Sequence, residues 1–317
     1  MPVDARRLIR KMRGGAQAHL LEASDGHCYV VKFLNNPQHQ RILVNEWLSS
    51  VFLQYLGIAT PPCAMIRISP DFLAANSETY IQLGSERRAV PPGWHFGSRY
   101  PGDPRRNVVY DFLPDSLLER VENAADFRAA LVFDKWMGNT DSRQAIFFRA
   151  RVHDAQQAAP PPVPSEERTS PEGGPPRRED PASHIPPSRS IVREKNPEER
   201  LGFVAQMMDN GYVFEGPQWR FSDSPLYGLY FRKTFYRAVR GWADFEPWLE
   251  RIQYFPEAVV DEGLKQIPEE WLADSSGASR RAELEHLLER LLRRRKRVAS
   301  LIEDCRGSKS EPFPNWR

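Results

Sequence analysis

The sequence predicts an α+β chain in two lobes, β-rich and then helical, with a disordered proline-rich insertion. Three observations lead there. Residues 8–34 carry short apolar runs around Ser24-Asp25-Gly26, the composition of a hairpin turn. After residue 114 apolar residues recur at helical spacing. Residues 151–200 hold 11 of the chain's 28 prolines and no Phe, Trp or Tyr, so this stretch cannot bury a core. The expected divisions are a β-rich lobe over 1–113 and a helical lobe over 114–275, interrupted by the insertion 151–200. An amphipathic basic helix over 276–306 closes the chain.

Composition excludes several classes. The chain has 317 residues, 40% apolar and 27% charged, enough for a substantial core. A net charge of +2 gives no global electrostatic case for nucleic acid or membrane. Cys28, Cys63 and Cys305 are too few and too scattered for a disulfide framework or a zinc site. The N-terminus is basic but lacks an apolar core of signal-peptide length, and no run approaches the ~20 apolar residues that span a bilayer. A soluble, cytoplasmic protein is expected.

In the first lobe, Ala16–Leu21 and His27–Leu34 read as paired strands. Ahead of them, Gly14-Gly15 forms either a simple turn or a place where backbone approaches a phosphate. Lys32 lies in the apolar strand Cys28–Phe33, where it needs an anionic partner, a carboxylate or a phosphate. The following helix, Gln40–Leu56, places Leu43, Trp47, Leu48, Phe52 and Tyr55 on its buried side, with Glu46 beside that face. Glu46 is therefore either solvated or paired with Lys32. Gly57 caps the helix. Ile58–Ile68 reads as a turn and strand, Thr79–Leu83 as a strand and Pro91–Arg106 as a loop. Val108–Leu113 reads as a strand joining the lobes.

The second lobe is organised around Leu131–Phe148. Leu131, Val132, Phe133 and Trp136 are the apolar face of a helix over Phe127–Met137, after a shorter one over Leu117–Val121. Gly138, Asn139, Thr140 and Asp141 break it with turn chemistry, and Ala145–Phe148 resumes as a buried strand. A carboxylate in such a turn either caps it or faces a cleft from rigid supports. A second apolar strand, Gly202–Met208, runs into Asp209-Asn210-Gly211. The aromatic-rich stretch 220–255 is read as core helices, with short helices at 257–264 and 269–273. Arg280–Glu303 is read as one amphipathic helix crossed by five basic residues, Arg293–Arg297. These form a solvated side of a docked helix, or contact an acidic protein or nucleic acid.

Asp141 and Asp209 are 68 residues apart, and the insertion accounts for 50 of these, leaving 18. A strand, a turn and a second strand fit that interval, so both carboxylates can face one cleft. The order of glycine turn, strand lysine, helix glutamate and two aspartates is that of protein kinases. There a lysine neutralises phosphates, a glutamate holds it, one aspartate orients the acceptor and the other binds Mg²⁺.

Trp136-Met137-Gly138-Asn139-Thr140-Asp141 resembles the catalytic loop of HipA-like kinases, with its Gly-Asn-x-Asp signature. Tyr29–Phe33 with Asn45-Glu46 resembles their nucleotide lysine and its helix, and Met208–Gly211 their second aspartate. The resemblance runs from residue 13 to about 255, interrupted by the insertion. It implies a protein-kinase-like, HipA-like fold that uses ATP and Mg²⁺. Asp141 would be the catalytic aspartate. Gly14, Gly15, Lys32, Glu46, Asn139 and Gln144 would serve ATP, and Asp209 and Gln144 the metal. Two departures stand out. Ile146 occupies the position of a metal-binding asparagine, and Arg143 that of a common histidine. The expected activity is phosphoryl transfer to a hydroxyl of a protein Ser/Thr or of a small molecule. The rival readings are a nucleotide-binding pseudokinase and a module that binds acidic partners through Arg293–Arg297. No membrane association is expected.

Overall fold

The computed structural model describes residues 2–152, 200–273 and 277–317. The proline-rich segment expected at 151–200 lies outside the described residues, apart from the strand ends that reach 152 and 200. The mixed α+β class is observed. Strands β1 (Val3–Lys11), β2 (His19–Ala23) and β3 (Cys28–Lys32) pair antiparallel around the Ser24–Gly26 turn. Helix α1 (Arg41–Tyr55) comes next, then β4 (Cys63–Ile68), α2 (Pro70–Ala75) and the hairpin of β5 (Tyr80–Leu83) and β6 (Glu86–Ala89). Strand β7 (Gly93–Arg99) enters between β3 and β4, and β1 meets β4 in parallel at Val3 and Ile66. The result is a closed barrel in the order β1-β2-β3-β7-β4.

Two barrel strands depart from the sequence reading. No strand was expected over 3–11, because its arginines hide the alternation. Residues 91–106 were expected as a loop, yet 93–99 is the central strand β7. Gly97 carries the physical reason. A Cβ there would lie 2.6 Å from Ile66 Cγ1 and 3.3 Å from Tyr29 Cβ. The glycine that reads locally as a loop residue is what lets the barrel wall close on itself. Gly97→Val is therefore expected to cost about 1–3 kcal/mol through overpacking, read as a lower urea midpoint with unchanged m-value.

Two apolar cores result. One lies at the barrel, around Leu21, Val31, Phe33, Ile66, Phe72 and Ile81. The larger draws on α1 and on most of the later elements. α1 is not one-sided as expected: Ile42 to Ser50 are buried without interruption, because β7 packs on it from the barrel and later helices from elsewhere. Gly57, at φ +71°, stands just past the helix end as anticipated.

The joining strand is shorter than expected, β8 (Val109–Tyr110), and leads into α3 (Asp115–Leu118) and α4 (Ala125–Met137). Strands β9 (Gln144–Val152) and β10 (Arg200–Met208) complete a sheet in the order β10-β9-β8. The aromatic stretch after Trp219 is mostly tight turns rather than helices, with α5 (Trp248–Gln253) its one regular helix among the described residues. Its side chains still build the core, and Phe235 stacks on Phe127 at 3.7 Å. Then come α6 (Glu257–Lys265), α7 (Glu269–Leu272), α8 (Arg281–Arg294) and α9 (Val298–Arg306).

The single helix expected over 280–303 is thus two, broken by a tight turn at Arg295–Arg297. The basic run is partly internal at that break. Arg294 is buried, pairs with Asp223 and donates to the carbonyls of Lys135 and Trp136. Arg295 donates to the carbonyls of Leu292 and Phe255. Met1–Ala150 and Gly202–Arg317 form one compact unit. Among the described residues, no helix is long and apolar enough to cross a membrane.

Candidate active site

Lys32 ends β3 and is almost wholly buried. Its Nζ donates to Glu46 Oε1 at 2.5 Å and to Asp209 Oδ1 at 2.8 Å. Glu46 comes from the buried side of α1, and Asp209 from the turn after β10. Burial opposes the lysine's charge, but Glu46 and then Asp209 outweigh it and hold its pKa above the ordinary value. Lys32 in turn holds the Asp209 carboxyl below the ordinary carboxylate range, against burial and with help from Arg143. Asp209 sits at φ +58°, a left-handed conformation uncommon outside glycine, which the surrounding bonds maintain.

Asp141 lies one turn beyond α4. Gly138 ends that helix at φ +63°, where an added Cβ would meet Phe221 at 2.9 Å. Asn139 then turns inward. Its Nδ2 donates to Asp134 Oδ1 at 3.0 Å and its Oδ1 accepts the Asp141 N–H at 3.2 Å. Asp141 Oδ1 accepts the Ser142 N–H at 2.7 Å, and its carbonyl accepts the Gly228 N–H at 3.0 Å. Gln144 Nε2 stands 3.4 Å from Asp141 Oδ2.

The two aspartate loops are joined from below by a group the sequence reading did not assemble. Arg143 is fully buried, and its guanidinium pairs with Asp134, Nε to Oδ2 at 2.8 Å. It also donates to the Met208 carbonyl at 3.1 Å and to Asn210 Oδ1 at 2.7 Å. Burial pushes the Asp134 carboxyl up, and Arg143 and Asn139 oppose the rise. Asn45, beside Glu46, is a second such tie. Its Nδ2 donates to the carbonyls of Gly211, Val213 and Gly216, and its Oδ1 accepts from Trp219 Nε1 at 3.0 Å. The available signal was charge inside an apolar pattern. Asp134-Lys135 interrupts Leu131-Val132-Phe133 before Trp136, and buried charges require partners.

These groups border a cavity of about 890 Å³. Gly14, Gly15, Lys32, Glu46, Asp141, Gln144 and Asp209 all line it. Asn139 does not: it is wholly buried, and both ends of its carboxamide are engaged beneath the loop. It therefore shapes the Asp141 turn rather than facing a ligand. Ile146 does line the cavity, with Val30, Phe96 and Met208 supplying further apolar wall. Among the described residues no cluster of three or more His, Cys, Asp or Glu could hold a metal ion. The carboxylate of Asp209 and the carboxamide oxygen of Gln144 suit a hard cation that brings further oxygen ligands with its substrate.

Residues 6–146 match a family model described as HipA-like kinase. No curated protein matches the chain. Among solved structures, the crystal structure of the Golgi casein kinase with Mn/ADP bound aligns with a TM-score of 0.45 at 12% identity, covering 97% of this chain and 73% of that one. The matched stretch takes in nearly all of the barrel together with Lys32, Glu46 and Asp141, and over these residues the chain is similar to the HipA-like kinase family.

Proposed function

We propose that this chain is an ATP- and Mg²⁺-dependent phosphotransferase of HipA-like type that phosphorylates a hydroxyl, most readily a protein Ser or Thr. The observation that carries this reading is Lys32, held between Glu46 and Asp209 in a cavity that Asp141 also lines. In this reading the barrel and α1 act as a nucleotide lobe, and the helical remainder as a catalytic lobe. Lys32 and the Gly14-Gly15 backbone receive the phosphates. Asp209, with the Gln144 carboxamide, would hold Mg²⁺, which supplies charge neutralisation at those phosphates. Asp141 orients the acceptor hydroxyl and takes its proton as the new O–P bond forms and ADP leaves. Positioning and charge neutralisation do the rest.

One observation favours a second reading, a nucleotide-binding pseudokinase. Ile146 lines the cavity where the family resemblance calls for a ligating asparagine, and an isoleucine offers no oxygen. Thermal unfolding with ATP, with and without Mg²⁺, separates the two. A ligand at 100 times its Kd stabilises the folded state by about 2.7 kcal/mol. The expected result is a Mg²⁺-dependent rise in Tm that Asp209→Ala removes, together with phosphate transfer to protein Ser or Thr. A rise indifferent to Mg²⁺ and to Asp209 would support the pseudokinase, and no rise would overturn both readings.

A further inference from the structure

The connection from β1 to β2 forms a lip of the cavity through Arg13, Gly14 and Gly15. A glycine loop of this kind has no inherent reason to stay in place. Gly14 stands at φ +117°, and its carbonyl accepts the Gln17 N–H at 3.1 Å, closing a tight turn. Gln17 itself is at φ +46°, unusual for a residue with a Cβ. It does not line the cavity. Its side chain runs the other way, to β5.

There the Gln17 carboxamide makes a reciprocal pair with one backbone residue. Nε2 donates to the Gln82 carbonyl at 2.6 Å, and Oε1 accepts the Gln82 N–H at 2.8 Å. This is the pair of bonds that a facing residue exchanges in an antiparallel ladder. The side chain thus substitutes for a strand on the edge of β5 not taken by β6. A second tie runs alongside, with Lys11 Nζ over the Tyr80 ring at 2.9 Å. On another side the loop rests against the β3–α1 connection, where a Cβ on Gly15 would come within 3.2 Å of Gln38 Nε2.

We propose that Gln17 is a positioning residue, clamping the Gly14-Gly15 loop to the β5–β6 hairpin so that its backbone is already in place for the nucleotide's phosphates. The proposal rests on the nucleotide reading of the cavity. The strained backbone at Gln17 is held by the two bonds to Gln82. The loop then behaves as a fixed lip, and little of its ordering remains to be done when a nucleotide binds.

The test uses the full chain as wild type, Gln17→Ala and Gln17→Glu. Three quantities are read: hydrogen exchange over residues 12–18, ATP binding, and KM against kcat for ATP. Loss of both bonds is expected to speed exchange in the loop and raise the ATP KM about tenfold, with kcat and Tm changing much less. Gln17→Glu keeps an acceptor for the Gln82 N–H but sets a carboxylate oxygen against the Gln82 carbonyl. It should be at least as damaging as alanine. A purely structural role would instead lower Tm and kcat together. Unchanged exchange in both variants would overturn the clamp. Faster exchange with unchanged ATP affinity and KM would overturn the positioning role. Failure of the wild type to bind ATP would overturn the nucleotide reading, and with it the role assigned to Gln17, whatever the exchange shows.

Discussion

Replacing Arg143 by methionine is expected to cost about 3–5 kcal/mol of folding stability, the loss typical of breaking a buried ion pair from one side. Arg143 and Asp134 are both shielded from water, and the guanidinium bonds both carboxylate oxygens. Without it, Asp134 keeps the Asn139 amide as its remaining side-chain donor among the described residues. The Met208 carbonyl and the Asn210 carboxamide lose a donor in the same step. Chemical denaturation measures the loss directly. The double variant Arg143→Met/Asp134→Leu removes both charges and should recover part of it, since an apolar pair of similar bulk can replace a buried salt bridge. A single variant as stable as the wild type would show that the network does not hold the two loops together. Because Arg143 reaches both the Asp141 side and the Asp209 side, a folded variant should also bind nucleotide more weakly.

The largest kinetic effect is expected from Asp141→Asn. If Asp141 takes the acceptor proton, kcat should fall by about 10²–10⁴, the usual contribution of a positioned base. The amide preserves the size of the side chain, and its oxygen can still accept the Ser142 N–H that now bonds Oδ1. ATP binding should therefore persist, because Lys32 and Glu46 are untouched. Single-turnover phosphoryl transfer reads the loss, and Tm in the presence of ATP reads the retained binding. Turnover at the wild-type rate would remove Asp141 from its role as base.

Most of the candidate site was legible because its members carry a local mark. Lys32 interrupts an apolar strand, Glu46 borders the buried side of a helix, and Asp141 and Asp209 each come just after a buried element. A charge in an apolar pattern announces a partner without naming it. The structure pairs Lys32 with Glu46, one of the two readings, and adds Asp209 as a second partner. Asn139, to which only the family resemblance gave a nucleotide role, does not line the cavity. Whether a turn carboxamide faces out or in depends on what waits beneath it, here Asp134 from the preceding helix.

The sequence by itself determined the mixed class, the helices over residues 41–55 and 125–137, and the succession of lysine, glutamate and two aspartates along the chain. These arise from residue type, period and spacing along the chain, which are local. Only the tertiary structure decided that 3–11 and 93–99 are barrel strands, and that the last helix breaks at Arg295. It alone showed Arg143 beneath both aspartate loops and Gln17 turned to β5. Each of these depends on a partner distant in the chain: Ile66 against Gly97, Asp223 for Arg294, Asn210 for Arg143, Gln82 for Gln17. A buried polar group or a close backbone approach is tolerated only where such a partner arrives, and sequence spacing does not say which one does.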